Sequence, residues 1–138
     1  MKITIKDFQK KIPVNPKRIK KTILNILSKE AIKKSGEITV CFVNDRNIKK
    51  LNLRYRGRNQ ATDVLAFDLS EPKSQRIFGD IAISTDAAVR GAKIYKTNVF
   101  YELNLYVAHG ILHILGYSDH TTKEKGLMHK KEEEYVHT

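Results

Sequence analysis

The sequence predicts an α+β fold, with one mixed β-sheet of about four strands packed with helices and a buried central helix carrying a His-x-x-x-His pair. Three observations predict it. Short runs with alternating apolar residues, such as Ile38-Thr39-Val40-Cys41-Phe42-Val43, are interleaved with stretches whose apolar residues recur every three or four positions. The segment from Asn98 to Leu115 is apolar on nearly all sides, the mark of a helix enclosed by its neighbours. The chain has 138 residues, 41% of them apolar, enough to bury one core without disulfides, and it shows no repeat, linker or low-complexity tract. Residues 1–138 therefore read as a single domain.

Taken in order, Ile3-Thr4-Ile5 alternates as a short strand does. A helix is predicted from Lys17 to about Lys34, with Ile19, Ile23, Ile26, Leu27 and Ala31 on one face and lysines opposite. Asn15 can cap it, Pro16 suits its first turn, and Ser35-Gly36 ends it. Glu37 to Val43 reads as a strand. Asn44-Asp45 opens a second helix with Ile48, Leu51 and Tyr55 along one face and Arg54, Arg56 and Arg58 near its end. Asp63 to Leu69 and Phe78 to Ser84 are the third and fourth strands, separated by the turn-forming Ser70-Glu71-Pro72-Lys73. Thr85-Asp86 caps a helix running towards Tyr95, and the apolar helix from Asn98 follows. The last segment, Thr121 to about Tyr135, is charged and reads as a surface helix, with Glu132-Glu133-Glu134 on its solvated face.

The charge is uneven. Residues 1–58 hold 17 Lys and Arg against 4 Asp and Glu, whereas residues 59–138 hold 9 against 11, which together give the net +11. A concentrated positive half suits a polyanionic partner such as nucleic acid, although a lysine-rich face can also serve solubility alone. Cys41 is the one cysteine and sits in a strand-like run, so it reads as a core residue in a reducing compartment. The N-terminus lacks the apolar stretch of a secretory signal, and no run is long enough to span a bilayer. A cytoplasmic location and no membrane partner are expected.

The sharpest chemical signal is His109-Gly110-Ile111-Leu112-His113-Ile114-Leu115-Gly116-Tyr117-Ser118-Asp119-His120. A lone histidine in an apolar helix is usually a core residue. Two of them at i and i+4 lie on one face with Cβ atoms about 5–6 Å apart, and two imidazoles so placed can share a metal ion. Gly116 can adopt the left-handed conformation that stops a helix, so the chain turns back and brings Asp119 or His120 towards the same ion. Zinc proteases with this spacing place their general base directly after the first histidine, and here that residue is Gly110. Peptide hydrolysis is thereby the weaker reading. RNA cleavage asks for less, because the 2′-hydroxyl can act as an internal nucleophile and the phosphate already attracts cations. Glu102, Tyr106, His109 and His113 form roughly one stripe, so Glu102 is a candidate to orient a ligand or move a proton, or to form an internal salt bridge. The arginines before Gly57 suit phosphate recognition by bidentate guanidinium donors, though helix ends often carry arginines for the dipole.

With both stretches in view, the chain resembles the YbeY-type endoribonucleases, which are rRNA maturation factors. The resemblance rests on the stretch from His109, on Asn52 through Phe67, and on Gly79-Asp80-Ile81. It implies an α+β fold, one Zn2+ bound by three side chains, cleavage of single-stranded RNA in rRNA 3′-end maturation and ribosome quality control, and a catalytic role for Arg56. Arg54 and Arg58 are the accompanying substrate-binding candidates, and rRNA and ribosomal particles are the implied partners. Ala61 stands where the family usually has proline and Ala66 where it has serine, changes expected to alter loop detail only. The family's third histidine falls six residues after the second, which here is Asp119. Read without a gap, Asp119 completes a set with His109 and His113, and Met128 keeps its expected spacing. Read with one inserted residue, His120 is the third ligand. His129 and His137 lie too far along the charged helix to be first choices. The competing readings are an RNA-binding or ribosome-assembly factor with a structural metal, and a metal-dependent hydrolase of small molecules or peptides.

Overall fold

The computed structural model describes residues 1–136, which leaves His137 outside the described residues. The chain runs β1 (Lys2–Asp7), α1 (Pro16–Lys29), β2 (Ser35–Val43), α2 (Asp45–Arg56), β3 (Val64–Asp68), β4 (Arg76–Ser84), α3 (Thr85–Tyr95), α4 (Val99–Ile114) and α5 (Thr122–Val136). The strands form one four-stranded sheet in the order β1-β2-β4-β3. β1, β2 and β4 are parallel, and β3 returns antiparallel along the free edge of β4. This is the expected α+β architecture with one mixed sheet.

Alternation along the strands divides the core. Ile38, Val40 and Phe42 of β2 and Ile77, Ile81 and Ile83 of β4 face the cluster built by α1, α4 and α5. The opposite face presents Val43, Leu65 and Ala82 to Ile48 and Leu51 of α2. α4 fills the centre of the larger layer, with Leu103, Val107, Ala108, Ile111 and Leu112 buried. Gly110 lets this helix approach the sheet, because a Cβ there would fall 2.8 Å from Ile81 Cγ2. The position that holds the glutamate of zinc proteases is here pressed against β4.

Polar side chains start the helices where the sequence suggests. Asn15, Asn44 and Asn98 each accept a hydrogen bond from the backbone N–H three residues on. The cap of α3 is Ser84, one residue before the expected Thr85-Asp86. Thr85 instead donates its buried hydroxyl to the Val43 carbonyl, and Asp86 accepts from the Asp45 N–H and from Lys11. α1 ends at Lys29, short of the expected Lys34, and Ala31 adopts φ 55° outside the helix. The Ile32 N–H closes on the Leu27 carbonyl at this stop. Glu30 there receives hydrogen bonds from Tyr117, Lys131 and Tyr135, fastening the end of α1 to α5. Tyr55, expected on the inward face of α2, is 58% exposed and packs edge-on against Phe67, and Asn52 is the residue buried one turn after Ile48.

Three carboxylates tie these elements together. The Arg90 guanidinium holds the Asp45 carboxyl below the usual carboxylate range, and the Asp45 N–H with Lys11 does the same for Asp86. Burial works to raise the Glu30 carboxyl, but hydrogen bonds from Tyr117, Tyr135 and Lys131 outweigh it and leave it lowered. A carboxyl depressed in the folded state adds stability above its unfolded value of about 4, and loses it as pH falls towards the folded value. Urea unfolding followed from pH 7 to pH 2.5 should show stability falling below about pH 4.5, with a shallower fall in Asp45→Asn. Gly110→Ala should cost about 1–3 kcal/mol of unfolding free energy by overpacking α4 against β4, read from the same urea midpoints.

Candidate metal centre

His109 and His113 stand one turn apart on α4, and their Nε2 atoms lie 3.0 Å from each other. Asp119 Oδ2 is 3.6 Å from the first nitrogen and 3.4 Å from the second. Bonds of 2.0–2.1 Å in a tetrahedral site correspond to ligand–ligand edges of about 3.3–3.4 Å, so these three donors match one metal ion. Gly116, at φ 103°, reverses the chain after α4, with the Tyr117 N–H bonded to the Leu112 carbonyl and the Gly116 N–H to that of His113. That turn carries Asp119 back over the helix end.

Hydrogen bonding decides which ring nitrogens are free. His109 Nδ1 lies 2.7 Å from Glu132 Oε2, and His113 Nδ1 lies 3.1 Å from the Tyr117 carbonyl oxygen. Both partners are acceptors, so both Nδ1 atoms carry the proton and donate. The two Nε2 atoms then confront each other with lone pairs at 3.0 Å, beside a carboxylate. Such an arrangement suits a cation shared by the three donors. Burial works to lower the His109 imidazole, but the hydrogen-bonded Glu132 carboxylate overrides it and leaves it raised. His113 is lowered by burial and by His109 beside it.

The group opens onto a polar cleft of about 540 Å³ that Arg56, Arg58, Asn52, Asp63 and His120 also line. Arg56 donates from Nη2 to the Ala66 carbonyl at 2.9 Å, and its guanidinium lies 5.4 Å from the centre of the Phe67 ring. Its other N–H groups remain for an anion. Asn52, only 3% exposed, donates to the Gln60 carbonyl and so fixes the loop that returns from Gly57 to β3.

The sequence model of the family described as Endoribonuclease YbeY matches residues 4–138. The chain belongs to the YbeY endoribonuclease family. It is 37% identical over 140 residues to the endoribonuclease YbeY of Syntrophus aciditrophicus, a match covering 97% of this chain and 87% of that one. With the endoribonuclease YbeY of Syntrophomonas wolfei it shares 36% identity over 135 residues, 88% of this chain and 86% of the relative. The solution structure of a Thermotoga maritima protein superposes with a TM-score of 0.69 at 30% identity, covering 97% of this chain and 86% of the other.

Within this YbeY-family fold, His109, His113 and Asp119 come together, whereas His120 is exposed and lies in the cleft outside that group. Arg58 borders the same cleft. Arg54 does not, and its guanidinium lies 5.3 Å from the centre of the Tyr55 ring. Glu102 faces a neighbouring cavity with Tyr106 and His109, and His129 pairs with Glu133 on α5. The reading of Glu132-Glu133-Glu134 as a solvated face fails at Glu132, which is 9% exposed and bonded to His109. The signal was present in the spacing, because Met128, Glu132 and Tyr135 form an i, i+4, i+7 stripe and all three are buried.

A carboxylate on the far side of a ligating imidazole fixes the ring and raises its basicity. Glu132→Ala is therefore expected to weaken divalent-metal binding about 10–100-fold, whereas Glu133→Ala leaves it unchanged, as measured by chelator-competition titration.

Proposed function

We propose that this endoribonuclease is zinc-dependent and cuts single-stranded rRNA in 3′-end maturation and ribosome quality control, with His109, His113 and Asp119 holding the ion and Arg56 catalytic. Membership of the YbeY family makes it a hydrolase acting on RNA. One observation carries the finer reading: the paired lone-pair nitrogens and the carboxylate open directly onto the cleft bordered by Arg56 and Arg58.

A zinc ion held by His109, His113 and Asp119 would supply Lewis acidity towards the phosphate and would make water more acidic. The chain's own residues do the rest. Arg56, held by the Ala66 carbonyl and the Phe67 ring, binds the scissile phosphate and stabilises its growing negative charge. Arg58 takes a phosphate along the same cleft, and Arg54, on the adjoining surface of α2, takes one farther along the strand. Ribosomal particles are the partners that present such strands, and the lysine-rich first half adds a long-range attraction to them.

Two rival readings lose ground on specific observations. A purely structural metal normally has four protein ligands, but among the described residues the group holds three, and His120 lies outside it. Peptide hydrolysis needs a base beside the first histidine, and Gly110 at that place packs against Ile81. No helix among the described residues is long and apolar enough to cross a membrane.

The deciding experiment is cleavage of a labelled single-stranded rRNA 3′-end fragment by chelator-stripped protein, with and without added zinc. Zinc should restore cutting, His113→Ala should abolish it, and Arg56→Ala should lower kcat about 10²–10³-fold with metal content unchanged. RNA binding without cutting under any divalent metal would overturn the catalytic reading in favour of an assembly factor.

A further inference from the structure

Beside the metal group, on the side away from the arginines, lies a cavity of about 820 Å³. It shares Thr62, Asp63, Val64 and His109 with the arginine cleft, so the two spaces meet at the metal centre. Their chemistry differs. The cleft sets Arg56 and Arg58 among Asp63, Asp68 and Asp119, whereas the cavity presents Glu102, Glu132, Glu133 and several tyrosines, and its one arginine, Arg90, is engaged by Asp45. A phosphate is repelled there. A flat, uncharged ring with N–H groups is favoured.

Glu102 is the telling group. It is 3% exposed, yet among the described residues no cationic side chain pairs with it, and its donor is the Thr97 hydroxyl at 3.0 Å from Oε2. Burying a carboxylate with so little compensation is costly. Gly91 makes room for the two side chains themselves, because a Cβ there would lie 2.6 Å from Glu102 Oε1 and 2.9 Å from the Tyr106 hydroxyl. Each carboxylate oxygen has two acceptor positions, so the Thr97 bond leaves capacity at both. At the edge of the cavity Ile94 and Tyr95 are 69% and 71% exposed, apolar surface open to a stacking partner.

We propose that this cavity is a guanine subsite, in which Glu102 accepts from the base N1–H and exocyclic amine while Tyr95 stacks on the ring. The inference rests on the ribonuclease reading and adds sequence preference to it. Guanine alone among the four bases presents two adjacent N–H donors on its pairing edge, matched to the two oxygens of one carboxylate. Adenine and cytosine set a ring acceptor beside their amine, which a carboxylate repels, and uracil flanks its N–H with carbonyls. The pairing edge is free only in an unpaired base, so the same contact selects single strands.

The test uses single-stranded oligonucleotides identical except for one guanosine, inosine, adenosine or uridine, with cleavage and equilibrium binding measured on the zinc-loaded protein. Inosine keeps the N1–H and lacks the amine. The guanosine strand should be cut and bound at least about tenfold better than the inosine strand, since a site built around a hydrogen bond rejects the analogue without it. Glu102→Gln should bring the two within about twofold at unchanged metal content, because its amide replaces one acceptor with a donor. Tyr95→Ala, a surface change, should raise KM about tenfold for every strand while keeping the preference. Equal cutting of all strands by the native protein, or a preference that survives Glu102→Gln, overturns the subsite. If no strand is cut, the ribonuclease reading falls, and equal affinity for guanosine and inosine strands then overturns the subsite separately.

Discussion

The close approach of α4 to the sheet is the constraint on which the rest depends. A helix offers about 3.6 residues per turn, so one face can be buried only if another is left to do something else. Here Val107, Gly110, Ile111 and Ile114 belong to the buried side, with Gly110 removing the side chain that would hold the helix away from Ile81. His109 and His113 then emerge at the margin of the layer, half-buried, where they are dry enough to be held rigidly and open enough to be reached. Glu102 and Tyr106 follow from the same helical phase two turns and one turn earlier. Function occupies the part of α4 that packing does not claim.

Much of this was legible from the chain. The strand alternation at Ile38-Val40-Phe42, the Asn caps and the all-apolar segment each express a local rule, and the structure has the one mixed four-stranded sheet they suggest. The histidine spacing and the glycine stop were equally local. What was not legible depends on tertiary partners. Glu132 looks like one of three solvated glutamates until α5 docks and turns its Met128–Tyr135 stripe inward. The early end of α1 reflects Glu30 being held by residues far along the chain, and Tyr55, on the same stripe as Ile48 and Asn52 but in the last turn of α2, is exposed beside Phe67. The spread of Arg54, Arg56 and Arg58 around the last turn of α2 likewise emerges only from where Gly57 sends the chain.

The metal group also divides its surroundings by charge. On one side the Arg56 guanidinium is held by the Ala66 carbonyl and the Phe67 ring; on the other Glu102 is held by the Thr97 hydroxyl and Glu132 by the His109 imidazole. A nucleotide carries both complements, a phosphate and a ring edge rich in donors, joined by a sugar. In the proposed reading, phosphate and ring edge would lie on opposite sides of the metal group.

The Glu30 hub acts on the metal group from a distance. One carboxylate at the end of α1 gathers Tyr117, which precedes the turn to Asp119, and Lys131 and Tyr135, which flank Glu132 on α5. The third donor and the carboxylate behind His109 are thus seated by the same latch. His113 takes its orientation from the Tyr117 carbonyl and His109 from Glu132, so both imidazoles are aimed by segments that Glu30 fastens. A single side chain remote from the donors therefore governs the alignment of all three, and loosening it would blur the site without touching any of them.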